Sequence, residues 1–382
     1  MRVLLWSSAF WPAIGGAEIL AVQLLHGLRE RGVELAVVTD QNAEGTLPEV
    51  AALDGIPIHR FPFHATLDGG DPGPIGRLRA EARAVVRRFG PDLVHLHTLT
   101  PAAWFCRAAL DAQPAKLLVT RHSLFEPRSR PVPDSLPILI LRRADWIVCC
   151  SRAVLEETRA VLPECAPHSS VILNGLPRPR TVPPPFPDPP VLVGLGRQVW
   201  QKGFDLAVAA LPDIRSRCPR ARLVLIGDGP ERTRLEAQSA ALGVADALEL
   251  TGWVPPARVP ERIGGASLVL VPSRAGEAFC LAALQAGQMG RPVVATRVGG
   301  LPELVLDGET GVLVEPDDPA ELGRAAVRLL GHPEVLDRMG RRARSWTGEA
   351  FTHDRYIEEY LELYRRLVRG DSGRRTEAAR SR

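Results

Sequence analysis

The chain lacks any apolar run long enough to cross a bilayer. Its longest runs, such as Pro137-Ile-Leu-Ile-Leu141, fall well short of the roughly 18 to 20 residues that a transmembrane helix needs. Arg2-Val-Leu-Leu-Trp6 is typical of a first buried strand, and no small-residue cleavage site behind a longer apolar run indicates a signal peptide. The sequence therefore predicts a cytoplasmic protein.

Cysteine, net charge and lysine are also scarce. The six cysteines form no CxxC pair and show no regular spacing, which argues against a zinc site and a disulfide framework. The formal net charge is only +3, so the total predicts no nucleic-acid partner. Lys116 and Lys202 are the only lysines, because 45 of the 47 basic residues are arginine. The position of Lys202 is therefore informative.

The 382 residues are more than one compact core usually holds, so two domains are expected. Residues 177–190 contain eight prolines in fourteen positions and predict an extended linker. On each side, apolar segments alternate with helix-length stretches, as in parallel α/β sheets. The expected strands are 3–6, 34–39, 93–97, 117–120, 146–149 and 171–173, then 191–195, 223–226, 248–250, 268–271, 293–295 and 311–314. The sequence predicts two doubly wound, Rossmann-like domains, 1–176 and 191–348, facing a cleft.

The last part of the chain predicts one more helix. Between Phe351 and Val368, apolar residues recur with the 3.6-residue period of an amphipathic helix, which we place at 349–369. Residues 370–382 have no apolar face and are expected to be disordered.

Ligands of open parallel sheets bind beyond the carboxyl ends of the strands, so the loops after strands are the first places to look. After the first strand, Gly15 and Gly16 precede an apolar-periodic helix that ends at Gly32. Bare N–H groups at a helix start suit an anion such as a phosphate. A tight turn without a ligand explains the two glycines equally well.

The loop after residue 195 carries two cations. Arg197 and Lys202 lie five positions apart around a glycine-bearing turn. A guanidinium fork and an ammonium together can bind a diphosphate and stabilise the charge that develops as it leaves. An arbitrary pair of this kind is more often solvated, but the place beyond a strand end favours a site.

The loop after residue 271 carries a carboxylate. Glu277 is expected between a strand and a helix, where it could accept hydrogen bonds from sugar hydroxyls, and Gln285 is expected two turns into that helix. The alternative is a carboxylate that only complements the helix dipole, worth about 0.3–1 kcal/mol.

Three histidines stand at strand ends. His95 and His97 are two residues apart and share one strand face, while His122 follows the next strand. No third ligand lies at a recognisable metal spacing, so structural hydrogen bonding is the favoured role of the pair. His122 is the better candidate for contacting a ligand.

These residues, in this order, resemble glycosyltransferase family 4. The resemblance runs nearly from end to end and depends on the order and spacing of short motifs rather than on any one of them. They are Gly15-Gly16-Ala-Glu18, Val94-His-Leu-His97, His122, Ser151, Asn174-Gly175, Gly196-Arg197, Lys202-Gly203, Gly227-Asp-Gly-Pro230, Pro272-Ser273, Glu277, Gly299-Gly-Leu-Pro-Glu303 and Gly311.

The resemblance implies the GT-B fold and a retaining hexosyltransferase. Residues 1–176 would bind the acceptor, residues 191–348 would bind a nucleotide-diphosphate sugar, and the tail helix would cross back to the first domain. The acceptor would be a hydroxyl of a glycan, a lipid or a small metabolite. No cofactor and no metal are expected, because the sequence contains no Asp-x-Asp triplet.

Residue by residue, the resemblance implies a donor site and a catalytic set. Arg197 and Lys202 would bind the diphosphate, together with the backbone of Gly15 and Gly16. Glu277 would contact the donor sugar, and His122 would lie near the transferred sugar and the acceptor. The donor would also be held by the backbone around Phe279, Cys280 and Leu281 and by position 285.

Two positions depart from the family pattern. The second glutamate of the paired-glutamate motif is replaced by Gln285. Glutamine keeps an acceptor oxygen but loses the charge, which should lower donor affinity by about 1–2 kcal/mol. Cys280 replaces the usual glycine. The change at Gln285 leaves a donor-binding pseudoenzyme open as an alternative, and the two-domain fold by itself also leaves open a nucleotide-sugar epimerase.

A nicotinamide-dependent oxidoreductase is a further alternative, because a glycine turn and Asp40 after the second strand partly imitate a dinucleotide fold. The fingerprint is incomplete, since Gly194-Leu-Gly196 and Gly227-Asp-Gly229 both lack the final glycine.

One helix bears on the acceptor and on localisation. In residues 75–89, Arg79, Arg83 and Arg87 form one stripe opposite an apolar face. This stripe predicts either peripheral contact with an anionic membrane at its inner face or, more commonly, a solvated face on a core-packed helix.

Overall fold

A computed structural model describes residues 1–111, 115–125 and 132–370. Contacts divide the chain into two compact units, which we call unit 1 and unit 2. Unit 1 contains Met1–Leu176 together with the described residues from His353 onwards, and unit 2 contains Pro177–Thr352. Each unit is built on its own, largely parallel sheet.

The strands are the apolar segments of the sequence. In unit 1 they are β1 (Arg2–Ser7), β2 (Glu34–Asp40), β3 (Val50–Leu53), β4 (Ile56–Phe61), β5 (Leu93–Leu96), β6 (Lys116–Arg121), β7 (Trp146–Cys149) and β8 (Ser169–Val171). In unit 2 they are β9 (Val191–Leu195), β10 (Arg222–Ile226), β11 (Leu248–Gly252), β12 (Leu268–Val271), β13 (Val293–Thr296) and β14 (Gly311–Val314). Central strands such as β5, β12 and β13 are buried at every position, as expected for a sheet covered on both faces.

The strand orders are those of doubly wound folds. Unit 1 has the order β3-β4-β2-β1-β5-β6-β7-β8, and unit 2 has the order β11-β10-β9-β12-β13-β14. All pairings are parallel except that of β3 with β4. The prediction of two Rossmann-like α/β sheets is confirmed.

Two details of the strand prediction were wrong. The antiparallel pair β3 and β4 was not predicted, and the last strand of unit 1 was placed two residues late. The hairpin turns at Asp54 and Gly55, which both have positive φ. An Asp-Gly pair flanked by alternating residues is a hairpin signal that could have been used.

The helices connect the strands. They are α1 (Gly16–Glu30), α2 (Phe63–Gly69), α3 (Pro72–Phe89), α4 (Ala103–Leu110), α5 (Leu136–Arg143) and α6 (Arg152–Val161) in unit 1, α7 (Phe204–Arg217), α8 (Arg232–Ala241), α9 (Val259–Gly264), α10 (Leu281–Gln288), α11 (Leu301–Leu304), α12 (Pro319–Leu330) and α13 (Pro333–Ala350) in unit 2, and α14 (His353–Arg369). Side-chain caps begin several of them: Asp71, Ser151 and Asp318 each accept a backbone N–H of the first turn. No helix within the described ranges is long and apolar enough to span a membrane.

The proline-rich segment 177–190, predicted as a separate connector, is part of unit 2. It contains neither helix nor strand, yet it packs on that unit. The buried guanidinium of Arg291 donates to the carbonyls of Gly264 and Pro184 and lies 4.5 Å from the ring centroid of Phe186. A buried guanidinium needs such acceptors, so it holds the segment in place.

The last helix begins at His353 rather than at 349, because α13 runs on to Ala350 and the buried Phe351 separates the two helices. As predicted, α14 packs on the first domain, against α1 and β5. The chain's three tyrosines all lie on α14, at 356, 360 and 364, and all are fully buried. Residues 371–382 of the predicted tail lie outside the described residues.

Candidate functional site

The carboxyl end of the unit 2 sheet brings Lys202 and Glu277 together. Lys202 ends a short 3-10 helix after β9, and Glu277 lies between β12 and α10. The Nζ atom of Lys202 is 2.7 Å from Oε2 of Glu277, and Ser273 donates to the same oxygen at 2.9 Å. The Glu277 side chain is 8% exposed and that of Lys202 33% exposed, so the pair lies at the wall of a small cavity.

The charge of Lys202 is reinforced by its partner. Burial alone would lower the pKa of this ammonium, but the neighbouring Glu277 carboxylate outweighs it, and the pKa is raised. Lys202 is therefore a cation at neutral pH that still has N–H donors beyond the one used by Glu277.

Two glycines allow the loops around Lys202 and Glu277 to pack closely. Gly203 has a φ of +64°, and a Cβ atom there would lie 2.0 Å from the carbonyl oxygen of Pro272. A Cβ atom at Gly227 would lie 2.1 Å from the carbonyl oxygen of Gly196. No side chain fits at either position, so the glycines let the loops after β9, β10 and β12 pack backbone to backbone.

Arg197 is placed differently from Lys202. It lies in the same loop but is exposed and forms no ion pair within the described ranges. Its guanidinium is therefore available for a ligand, while Lys202 is already oriented by a carboxylate.

Cys280 determines where α10 begins. It is the N-cap residue of this helix and has a φ of +75°, a conformation that favours glycine. Burial raises the pKa of the Cys280 thiol to about 12, so the thiol is neutral. Because α10 starts only at Leu281, Gln285 lies little more than one turn into the helix, not two turns as predicted.

Phe279 serves the core. Its side chain is buried, and its ring lies 5.7 Å from that of Phe351. Only the backbone of Phe279 is left for a ligand.

In unit 1, the glycine turn lies at the start of α1. Gly15 is the N-cap residue and has extended backbone, and Gly16 begins the helix. A Cβ atom at Gly15 would lie 2.3 Å from Oε2 of Glu18. The Glu18 carboxylate therefore lies over the helix start where the sequence predicted an anion. This competition was not predicted, although Glu18 stands in the first turn.

The three histidines lie close together in unit 1, where His95 and His97 are buried and His122 is partly exposed. His122 Nε2 lies 3.4 Å from His97 Nδ1, and His97 Nε2 lies 3.0 Å from the carbonyl oxygen of Ala17. His95 is bonded elsewhere, with Nδ1 at 2.6 Å from the Tyr364 hydroxyl and Nε2 at 2.7 Å from that of Thr120. Burial lowers the pKa of all three, that of His97 to about 4, so all are neutral at pH 7.

The surroundings of Asp40 and a search for metal-ligand clusters bear on the alternative functions. Asp40 accepts hydrogen bonds from the backbone N–H groups of Phe63 and His64 at the start of α2, so it caps a helix and is not free for a ribose. Among the described residues, no group of three His, Cys, Asp or Glu side chains could hold a metal ion.

The arginine stripe on α3 is only partly available. Leu78, Ala82, Val85 and Val86 are buried, as expected for the apolar face. Arg83 donates to the carbonyl of Ala108 at 3.0 Å, while Arg79 and Arg87 are exposed.

Comparison with known proteins identifies the class. A family model described as "Glycosyltransferase Family 4" matches residues 14–180, and one described as "Glycosyl transferases group 1" matches residues 180–346. One relative is a named subunit of the phosphatidylinositol N-acetylglucosaminyltransferase of Arabidopsis thaliana. The chain is 30% identical to it over 396 residues, covering 97% of this chain and 85% of that protein.

Solved structures show the same fold. Sucrose-phosphate synthase from Thermosynechococcus elongatus superposes with a TM-score of 0.84 at 22% identity, over 97% of this chain and 100% of that one. Anabaena HepE in complex with UDP-glucose superposes with a TM-score of 0.76 at 21% identity, over 95% and 99%. The fold and these matches define a glycosyltransferase of the GT-B type. The chain belongs to glycosyltransferase family 4.

Proposed function

We propose that this glycosyltransferase moves a hexose, with retained anomeric configuration, from a nucleotide-diphosphate sugar to the hydroxyl of an acceptor, without a metal. The observation that supports this most directly is the Lys202–Glu277 pair at the carboxyl end of the unit 2 sheet. It presents a cation and a sugar-binding carboxylate side by side. The structural relative HepE, solved with UDP-glucose, supports a donor of this class.

The two residues have separate roles in the proposal. Lys202 donates to phosphoryl oxygens of the donor and stabilises the negative charge that grows as the sugar leaves, with Arg197 adding a second cation. Glu277 uses Oε2 for Lys202 and Ser273. No described side chain or backbone group donates to its Oε1, which accepts a hydrogen bond from a sugar hydroxyl.

The reaction needs no further reagent. The bond between the anomeric carbon and the diphosphate oxygen breaks, and a bond to the acceptor oxygen forms on the same face. The acceptor proton passes to the departing diphosphate. Backbone N–H groups at the start of α10, at residues 280–281, contribute to donor binding. His122 contacts a sugar hydroxyl.

The acceptor is a hydroxyl of a glycan, a lipid or a small metabolite. The Arabidopsis relative is named for a phosphatidylinositol acceptor, which makes a lipid one of these classes. We place the enzyme in the cytoplasm, and peripheral binding to an anionic inner membrane would use Arg79 and Arg87 of α3. Sedimentation with anionic vesicles at low salt tests this contact.

The donor is tested by a thermal-shift screen of UDP-, GDP-, ADP- and TDP-sugars without added metal, on wild type, Lys202→Ala and Lys116→Ala. Lys116 is the matched control because it is the only other lysine and also forms an ion pair, with Asp145 at 2.9 Å in unit 1. We expect one donor to stabilise wild type and Lys116→Ala but not Lys202→Ala.

Product analysis completes the test. Proton NMR of the product should show the anomeric configuration of the donor. Stabilisation by no nucleotide sugar contradicts the proposal. Interconversion of the donor sugar without an acceptor indicates an epimerase, and binding without transfer or hydrolysis indicates a donor-binding pseudoenzyme.

A further inference from the structure

The hydrogen bonds around His97 determine which of its nitrogens carries the proton. His97 Nε2 lies 3.0 Å from the backbone carbonyl of Ala17 in the first turn of α1. A carbonyl oxygen can only accept, so His97 Nε2 must carry a hydrogen. His97 is completely buried, and burial lowers its pKa to about 4, so the ring is neutral and its Nδ1 has a bare lone pair.

The same reasoning then applies to His122. Its Nε2 lies 3.4 Å from His97 Nδ1, and the two ring centroids are 4.3 Å apart. Because His97 Nδ1 can only accept, His122 Nε2 must be the donor. The pKa of His122 is also lowered well below its usual value, by burial and by His97, so the ring carries one proton and its Nδ1 is bare.

We propose that His97 is a positioning residue that holds His122 in the Nε2–H tautomer and in one ring orientation, so that His122 Nδ1 accepts a hydrogen bond from a sugar hydroxyl. This inference rests on the proposed transfer reaction. The neutral ring orients the hydroxyl and does not act as a proton donor. The hydroxyl belongs to the donor sugar or to the acceptor, and the experiment separates the two.

His95 provides a matched control. It lies in β5, two residues before His97, which directly follows the strand, and it is equally buried. Both of its ring nitrogens are occupied by hydroxyls, those of Tyr364 and Thr120, and neither bonds to His122. A change at His95 therefore disturbs the same core without removing the partner of His122.

The first readout is nitrogen NMR of the imidazoles, with the His122 signals assigned by their loss in His122→Gln. We expect a protonated Nε2 with a slowly exchanging hydrogen in wild type and in His95→Phe. His97→Phe, which keeps a ring but has no acceptor, should lose the slow exchange. His97→Asn should retain it, because Oδ1 of asparagine takes the place of Nδ1.

The second readout is kinetic. His97→Phe should lower kcat for transfer roughly 10-fold with little change in the donor KM, and His97→Asn should stay within about 3-fold of wild type, since one neutral hydrogen bond is at stake. If the hydroxyl belongs to the donor sugar, donor hydrolysis without acceptor falls in parallel. If it belongs to the acceptor, only transfer falls.

Each possible result decides the matter. An unprotonated Nε2 in wild type, or slow exchange that persists in His97→Phe, overturns the inference. So does an equal loss of kcat in His97→Phe and His95→Phe, which would indicate a purely structural role. If wild type transfers no sugar, the proposed function fails, and the NMR readout alone decides whether His97 holds His122.

Discussion

The two units have similar sheets but opposite chemistry at their carboxyl ends. Unit 2 presents charge, through the Lys202–Glu277 pair and the exposed Arg197. Unit 1, which contains eight of the nine histidines, presents neutral imidazoles after two of its strands: His95 and His97 are buried, and His122 beside them is partly exposed. The proposed reaction uses this difference: the charges of unit 2 suit an anionic leaving group, and the neutral rings of unit 1 suit hydroxyls.

The difference in charge follows from the side-chain types and from their surroundings. Lys202 starts from a pKa of 10.5, and the Glu277 carboxylate more than offsets the effect of burial, so the ammonium stays charged. The imidazoles of His95, His97 and His122 start from 6.5, and burial lowers their pKa further, so they are neutral.

The largest expected effect comes from removing the unit 2 cation. Lys202→Met should lower kcat/KM about 100- to 1000-fold, since a charge-stabilising donor is lost, and should destabilise unit 2 by about 1–2 kcal/mol because the Glu277 carboxylate loses its partner. The double variant Lys202→Met/Glu277→Gln should recover stability in urea unfolding but not activity. Recovery of activity in the double variant would show that the pair is only structural.

Acid should act first on unit 1. The unfolded chain binds protons at its histidines below pH 6.5, whereas folded His97, with a pKa of about 4, does not. Stability is thus fully present above pH 6.5 and is lost as pH falls toward 4, by about 3 kcal/mol for His97 alone.

Pulsed thiol labelling at one fixed pH, after equilibration in urea at each test pH, separates the units. Cys149 reports unit 1 and Cys280 reports unit 2, because both thiols are buried. The urea midpoint at Cys149 should fall between pH 6.5 and 5 more than that at Cys280, since the only histidine of unit 2 is the exposed His332. Equal falls in the urea midpoints at Cys149 and Cys280 would show that acid destabilises both units alike.

Adding a carboxylate to unit 2 should increase its affinity for the donor. Gln285→Glu puts a carboxylate on α10 at the family's second glutamate position and should strengthen donor binding by about 1–2 kcal/mol, or roughly 10-fold, through charged hydrogen bonds. Gln285→Ala should weaken it. Calorimetric titration with the donor found in the thermal screen measures the donor affinity of both variants. Weaker binding by Gln285→Glu than by wild type would contradict a role of position 285 in donor binding.

The smallest effect concerns the starts of two helices. Gly15 at α1 has ordinary extended backbone, whereas Cys280 at α10 has the φ that favours glycine. We expect Cys280→Gly to be more stable than Cys280→Ala by about 1 kcal/mol in thermal unfolding. At the control position Cys106, inside α4, the order should reverse, with alanine more stable by about 1 kcal/mol. The same order at both positions would show that Cys280 is unstrained.

The sequence predicted what local patterns encode. Twelve strands were predicted because they are short apolar runs, most of them buried in the sheets. Strands β3 and β4 were missed because exposed and less exposed side chains alternate along them. The Lys202–Glu277 pair joins residues 75 positions apart, so only the topology brings it together. The resemblance pointed to both residues but could not show that they bind each other, or that Glu18 covers Gly15.

The hydrogen-bond partners of His95 could not be predicted from the sequence for the same reason. Tyr364 lies 269 positions away in the chain, and no local pattern connects it with His95. The residue at which α10 begins depends on the φ angle of Cys280. Because the helix begins at Leu281, Gln285 lies nearer the helix start than the sequence predicted. Patterns along the chain thus predict elements, and long-range contacts determine the chemistry of the site.

The placement of α14 has a consequence for synthesis on the ribosome. Residues 353–370 complete the core of unit 1, whereas unit 2 is one continuous segment that is made before them. Unit 2 can therefore finish folding while the first domain still lacks its last helix, with His95 and Thr120 lacking their tyrosine partners. The segment made first is thus completed only after unit 2 has been made, and the nascent unit 1 must tolerate an uncovered sheet until α14 has been synthesised.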